Sequence, residues 1–211
     1  MRLLVSVRSA EEAVEAVAGG AEIIDAKEPA RGPLGQVEPA VGRRILAALA
    51  PTTAFSAALG DPPTAALVAA AVEAVPSVTR TGPVLLKIGL AGAATRRTAR
   101  ERLAWARDAV ARHASTSGLI VVAYADAAAA DAPPPAAVLD LAAEAEAAGV
   151  LMDTWNKSGP GLLELRDIGH LTLWVGSAER AGLTTALAGR LTLADLERVV
   201  ETGAGIVGVR G

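Results

Sequence analysis

Short apolar runs and amphipathic segments alternate along the whole chain. The first cycle runs from LLVSV (3–7), through residues 10–20 with apolar side chains at helical spacing, to AEIIDAK (21–27). Ser9 is placed to cap the helix, and a glycine pair is placed to end it. An apolar strand, a helix and a second apolar strand form the pattern of a βαβ unit, which predicts a parallel sheet.

A helix-to-strand junction of Ala or Thr followed by Gly recurs along the chain. It appears in AVAGGAEIIDAK, EAEAAGVLMDT, AERAGLTTALAG and VVETGAGIVGVRG. The repeat also determines the secondary structure that we predict for residues 171–181, LTLWVGSAERA, which could pass as a strand. Because they precede such a junction, we predict a helix there, although Thr172, Val175 and Gly176 are poor helix formers.

The same alternation assigns the rest of the chain. Further strands are predicted at 53–58, 83–89, 118–126 and 150–154, in GLTTALAG, and at 205–211; further helices are predicted around 38–50, 62–75, 96–113 and 136–148. A low-complexity loop, AAAADAPPP, covers 127–135, and its prolines can open a helix only at the first turn.

Eight such units in 211 residues predict an α/β fold with one domain over 1–211, a (β/α)8 TIM barrel. An open doubly wound sheet is the alternative, but it would need a Gly-rich first turn that SVRSAEE does not supply. The chain reaches its last residue at the eighth predicted strand, so we expect the barrel to lack a full eighth helix. A neighbouring subunit could cover the exposed strand, and we expect a homo-oligomer.

Composition narrows the function classes. Aromatic residues make up 2% of a chain that is 52% hydrophobic, so the core must be built from aliphatic side chains. There is no cysteine, and His113 and His170 are far apart, so we expect no metal or other cofactor and place both histidines on helix surfaces. A net charge of −3 argues against nucleic acid, and neither a signal peptide nor a membrane span is present. We expect a cytoplasmic protein.

Lysine is rare and sits at particular places. Among 20 basic residues only Lys27, Lys87 and Lys157 are lysines, and each closes or follows an apolar run. Near neutral pH an amine can lose its proton and attack a carbonyl, which a guanidinium cannot do. The spacings place the three on the second, fourth and sixth strands, and Arg210 on the eighth. Since alternate strands of a barrel supply one layer of inward side chains, we expect the lysines to converge at the C-terminal rim.

Two carboxylates accompany the lysines. Asp25 shares a strand face with Lys27, and Asp153 shares one with Trp155 and Lys157 if that strand continues so far. We expect the clustered cations to lower the pKa of at least one lysine, and Asp25 and Asp153 to supply acid and base groups. We also expect Asp25 to serve Lys27, and Lys87 to lie in an apolar setting. A purely structural Asp25–Lys27 ion pair is the alternative.

A mouth with more cations than carboxylates predicts a small anionic substrate, most simply a phosphorylated one. AGRLTLADL places Gly189 and Arg190 before a predicted helix start, where free N–H groups bind phosphate. We expect phosphate there, with Arg210 or Gly211 nearby, because the last two loops form the usual phosphate site of this fold. Other polar or turn-forming residues near strand ends have open roles: Tyr124 and Asp126 as supporting groups, Trp155 as core or lid, Gly32 and Gly35 as turn or ligand contacts.

The motifs LLVSV, AGGAEIIDAKEPxxGxLG, FSAALGD, LLKIGL, VAYAD, MDTxxK, LAGRLTLxDL and GIVGVRG span nearly the whole chain. In them the sequence resembles the (5-formylfuran-3-yl)methyl phosphate synthase family, also known as 4-(hydroxymethyl)-2-furancarboxaldehyde-phosphate synthase. The resemblance implies an enzyme similar to class I aldolases, with a (β/α)8 barrel, a lysine Schiff base and no metal. It further implies condensation of two glyceraldehyde 3-phosphate molecules, with loss of phosphate and water, to form the furan of methanofuran.

Carried over to this sequence, the resemblance implies that Lys27 forms the Schiff base and Lys87 accepts a proton. It implies supporting acid, base or phosphate-binding roles for Asp25, Asp153 and Lys157. The chain departs from the family pattern at Pro33, where a small polar residue is frequent, and at its early C-terminus. Two other functions stay open: a Schiff-base aldolase for another phosphosugar, and a non-catalytic barrel that binds sugar phosphates.

Overall fold

Eight parallel strands close into a barrel in chain order, each paired with its sequence neighbours, and the last pairs with the first. The computed structural model describes residues 1–76 and 80–210. The strands are β1 (Arg2–Val7), β2 (Ile23–Ala26), β3 (Ala54–Ala58), β4 (Val84–Ile88), β5 (Ser117–Tyr124), β6 (Gly149–Asp153), β7 (Thr184–Leu187) and β8 (Ile206–Arg210). The predicted TIM barrel is confirmed.

The helices are α1 (Ala10–Ala18), α2 (Pro39–Ala48), α3 (Ala65–Glu73), α4 (Arg96–His113), α5 (Pro135–Glu144), α6 (Leu162–Leu165), α7 (Ile168–Arg180) and α8 (Leu196–Val200). α6 is a one-turn addition between β6 and α7. The predicted helix at 171–181 is confirmed as part of α7. Its cap is Asp167, whose side chain accepts from the backbone N–H of His170.

Capping and turn chemistry set the element boundaries. The Ser9 side chain accepts from the backbone N–H of Glu12, as predicted for the start of α1. The helix predicted over 62–75 begins only at Ala65, where the Thr64 hydroxyl caps it. α5 opens on the third proline of the low-complexity loop, as expected, but ends before Glu146, whose φ of 54° breaks the helix.

The core has two layers. Aliphatic side chains between the strands and the helices form the larger one, and a smaller cluster fills the barrel interior. Inside the barrel the wall formed by β7, β8 and β1 carries small residues, among them Ala186, Gly208 and Ser6, and this leaves room for a cavity. Within the described ranges, no helix has the length and apolar character needed to cross a membrane.

Candidate active site

A cavity of about 410 Å³ opens where the strands end, and we refer to it as the lysine cavity. Lys27, Lys87 and Lys157 all line it, as their even-strand positions predict. Lys27 directly follows β2, and Lys87 lies within β4. The volume falls in the range of small-molecule sites, roughly 300–1,000 Å³. The lysines therefore share one ligand-sized space.

Asp25 is paired with Lys87, not with Lys27. The ammonium of Lys87 donates to Oδ2 of Asp25 at 2.6 Å, and the hydroxyl of Ser6 donates to the same oxygen at 2.8 Å. Asp25 is 0% exposed and Lys87 is 3% exposed. The expectation that Lys87 lies in an apolar setting is therefore wrong, and the hydrogen bond of Asp25 goes to Lys87 rather than to Lys27. The sequence shows which residues share a face of one strand, but the bond between Lys87 on β4 and Asp25 on β2 crosses the barrel interior between two strands.

Asp153 joins the other two lysines. Its Oδ1 accepts from the Lys157 ammonium at 2.6 Å and from the backbone N–H of Thr154 at 2.8 Å. Its Oδ2 lies 3.5 Å from the Lys27 ammonium. That long contact is the one bond of the Lys27 ammonium within the described residues, so Lys27 is the least tightly held of the three amines.

The charges shift one another's protonation. Burial disfavours ionisation of Asp25 and Asp153, but the neighbouring lysines outweigh it, and the pKa of each carboxyl lies below its ordinary 3.8. Burial lowers the pKa of Lys87 below the usual value in spite of Asp25, and burial likewise lowers the pKa of Lys157 in spite of Asp153. Lys87 and Lys157 thus release a proton more readily than free lysine does.

Lys157 reaches the cavity from a loop. β6 ends at Asp153, so Lys157 does not lie on the sixth strand as its spacing predicts, and the shared strand face of Asp153, Trp155 and Lys157 does not form. Instead Asp126, a predicted supporting residue, accepts from the backbone N–H groups of Trp155 and Asn156 at 2.7 and 2.8 Å. These two bonds fix the turn that brings Lys157 back over Asp153. The Trp155 side chain is 36% exposed and does not line the cavity.

The predicted phosphate-binding residues lie at the cavity mouth. Gly189, Arg190 and Arg210 all line the lysine cavity, whereas Gly211 falls outside the described residues. The predicted helix start is less direct, because a 3-10 turn at Leu193–Asp195 comes before α8. One guanidinium N–H of Arg190 donates to the carbonyl of Gly159. An arginine has five N–H donors, so others remain for an anion.

Sequence reasoning missed the serines of the cavity. Ser6 and Ser56 flank Asp25 on the neighbouring strands, in register with it, and both line the cavity. Ser6 orients the Asp25 carboxylate. The Ser56 hydroxyl and Oδ1 of Asp25 are buried without a hydrogen-bond partner in the described part of the chain. The sequence could have indicated them, because each serine lies on the same inward face of its strand as Asp25 does on β2.

A second polar network lies beside Lys87. The Tyr124 hydroxyl donates to Asp61 at 2.9 Å, and Asp61 also accepts from the backbone N–H of Ala91 at 2.7 Å. The buried Arg102 donates to the carbonyls of Gly89 and Ala91. Burial raises the pKa of Asp61 above its ordinary value and that of Tyr124 well above it. Tyr124 is thus a supporting group, which holds the segment that follows Lys87.

The remaining sequence candidates have simpler roles. Gly32 has a φ of 105° in the turn after β2 and also lines the cavity beside Pro33, whereas a Cβ on Gly35 would collide with the carbonyl of Glu28. Both histidines are exposed on helices α4 and α7. Within 1–76 and 80–210, no three His, Asp or Glu residues are placed to hold a metal ion.

Comparison with known proteins gives the geometry a family context. The family model described as 4-HFC-P synthase matches residues 3–211. The (5-formylfuran-3-yl)methyl phosphate synthase of Methanopyrus kandleri is 38% identical over 210 residues, covering 100% of this chain and 88% of that protein. The enzyme of the same name from Methanothermobacter thermautotrophicus is 37% identical over 217 residues, with the same two coverages.

A solved structure supports the fold alone. 3-Hexulose-6-phosphate synthase superimposes with a TM-score of 0.59 at 19% identity, covering 100% of this chain and 90% of its own. The family match extends over nearly the whole chain, and the named relatives align with all of it. This chain therefore belongs to the (5-formylfuran-3-yl)methyl phosphate synthase family.

Proposed function

We propose that this protein condenses two glyceraldehyde 3-phosphate molecules to (5-formylfuran-3-yl)methyl phosphate through a lysine Schiff base, in methanofuran biosynthesis. The atoms balance when two C3H7O6P molecules give C6H7O6P, one phosphoric acid and two waters. Forming a carbon–carbon bond between two aldehydes requires one of them to become a carbon nucleophile. A lysine imine achieves this by easing removal of the neighbouring proton.

The observation that carries the proposal is the state of the three amines in one cavity. Lys87 and Lys157 each hold a carboxylate at 2.6 Å, whereas the Lys27 ammonium has only its 3.5 Å contact with Asp153. An amine that is weakly held can turn toward a carbonyl by giving up one long hydrogen bond, which costs little. Lys27 is therefore the nucleophile that forms the imine.

Asp153 has the position to assist at Lys27. Imine formation passes through a carbinolamine whose hydroxyl must leave as water, and that oxygen must first be protonated. Asp153 Oδ2 is the carboxylate oxygen close to Lys27, and Lys157 can return a proton to Asp153 through its bond to Oδ1. In this account Asp153 and Lys157 transfer the proton that the sequence alone assigned to Asp25.

Lys87 removes the proton next to the imine carbon. Burial lowers its pKa, which favours the neutral amine that a base requires. Asp25 fixes the position of the Lys87 nitrogen and is itself fixed by Ser6. When Lys87 becomes charged, the Asp25 carboxylate compensates that charge in the buried site.

The substrate phosphates bind at the mouth. Arg190 and Arg210 line the cavity there together with Gly189, whose φ of 113° lies in the left-handed region that favours glycine. We assign Gly211, which follows Arg210, to the same group. Because the substrate is a phosphorylated metabolite, we further propose a cytoplasmic enzyme without a nucleic-acid or membrane partner. We also propose that the enzyme is a homo-oligomer.

The proposal is tested by incubating the protein with glyceraldehyde 3-phosphate and following furan absorbance, product mass and released phosphate. We expect the furan product and phosphate in equal amounts. A phosphorylated sugar without furan absorbance would instead show an aldolase for another product. Binding of the substrate with no turnover would show a non-catalytic barrel.

A further inference from the structure

The lysine cavity has two unlike sides. Its lysines and Asp153 come from the β2, β4 and β6 side. The opposite wall, formed by β7 and β8, carries Ala188 and Gly208 at the level of Asp153, and both line the cavity. The backbone N–H of Ala188 donates to the carbonyl of Met152, which places Ala188 beside Asp153. A virtual Cβ on Gly208 would lie 3.1 Å from the Cβ of Ala188, so these two residues are direct neighbours.

Small residues at such positions are unusual for this fold. The inward positions of a TIM barrel are mostly filled by bulky branched side chains that pack the interior. Here Ala188 and Gly208 leave space next to Asp153, while Leu4, in register with Gly208, and Ile206, two positions earlier on β8, add apolar side chains to the same cavity. The space therefore has apolar side chains on one side and the amines on the other.

Each small residue has an arginine above it. Arg190 follows Ala188 by two positions and Arg210 follows Gly208 by two, and all four line the same cavity. The wall thus offers an apolar surface without charge and, at the mouth, two guanidinium groups suited to phosphate. A ligand that fits this wall has a short uncharged body and a phosphate at one end.

We propose that the Ala188–Gly208 wall is the binding site for the second triose phosphate, whose aldehyde carbon is attacked by the enamine that forms when Lys87 removes the proton next to the Lys27 imine. This inference rests on the proposed function and adds to it the place of the second substrate and the residues that make room for it. The wall lies beside Asp153, whose Oδ2 is 3.5 Å from the Lys27 ammonium, so a second aldehyde bound on the wall faces Lys27 across the cavity. Because the side chains of the Ala188–Gly208 wall are small, the wall also leaves room for the flat furan ring as the ring forms.

The test separates imine formation from condensation. In Ala188→Val two extra methyl groups occupy the wall, so the second triose loses its place while Lys27 and its partners are unchanged. Borohydride trapping of glyceraldehyde 3-phosphate on Lys27 should keep its wild-type extent, and furan formation should fall by at least about 10-fold. Gly208→Ala, with a neighbour at 3.1 Å that leaves little space, should give a smaller loss of the same kind.

Ala69→Val is the matched control, because Ala69 lies half-buried on the outer helix α3 and the substitution adds the same methyl groups. It should keep both trapping and furan formation, and thermal unfolding should show that all three variants are folded. Unchanged furan formation in Ala188→Val would overturn the inference, as would trapping and furan formation that fall together in the same proportion. If the wild-type protein traps no adduct, the proposed function fails instead.

Discussion

The ammonium of Lys87 lies 2.6 Å from Oδ2 of Asp25, and both residues are buried inside the barrel. A buried ion pair is costly to break because the remaining partner keeps its charge without compensation. The pair thus links the fold to the chemistry. The Asp25 carboxylate that holds the Lys87 base in place also compensates the positive charge of that amine inside the folded barrel.

Asp25→Asn tests this link. The substitution keeps the shape and removes the charge, so the free energy of unfolding should fall by about 3 kcal/mol and furan formation should be lost. Glu101→Gln is the control, since Glu101 pairs with Arg97 on the exposed face of α4. Urea denaturation should show a change below about 0.5 kcal/mol there. Equal effects of the two substitutions would contradict the buried-pair account.

Acid should remove the contribution of Asp153. Its folded-state pKa is below 3.8, so its ion pairs stabilise the fold at pH values above 3.8 and are lost as pH falls below that value. The free energy of unfolding of the wild type should exceed that of Asp153→Asn at neutral pH. We expect the difference to shrink steadily in urea titrations once the pH is taken from about pH 6 to values below 3.8. A difference that stays constant through this range would show that Asp153 acts by its shape alone.

The two cavity serines should respond in opposite directions. Ser56→Ala removes a buried hydroxyl that has no partner in the described residues, so stability should stay level or rise by about 1 kcal/mol. Ser6→Ala removes a donor to Asp25 and should lower stability by about 1 kcal/mol. Thermal unfolding of the two variants side by side measures this. Destabilisation by Ser56→Ala would indicate that its hydroxyl has a bonding partner.

The sequence allowed the convergence of the lysines to be predicted, because strand order and strand ends follow from local patterns. It did not allow the pairing of Asp25 with Lys87 to be predicted. That bond crosses the interior between strands that are not neighbours, and the direction of two long side chains decides it. The place of Lys157 was predicted for the wrong reason, since β6 stops at Asp153 and the turn held by Asp126 brings the lysine back.

Gly89, directly after β4, should tolerate no side chain. A Cβ there would lie 2.5 Å from the Tyr124 hydroxyl and would also collide with the Asp61 carboxylate. Gly89→Ala should therefore lower the free energy of unfolding by roughly 1–3 kcal/mol and reduce turnover, since the same segment carries Lys87. Gly176→Ala is the matched control, because Gly176 lies within α7 with its nearest neighbour at 3.5 Å. Thermal unfolding should show that it stabilises the protein by up to about 1 kcal/mol.

The central claim is that Lys27 is the amine that attacks the substrate, and borohydride trapping with glyceraldehyde 3-phosphate tests it most directly. Peptide mass should place the reduced adduct on Lys27. Lys27→Arg should abolish the adduct although it keeps the charge, while Lys87→Ala should still form it and lose furan formation. An adduct on Lys87 or Lys157 in the wild-type protein would contradict the account.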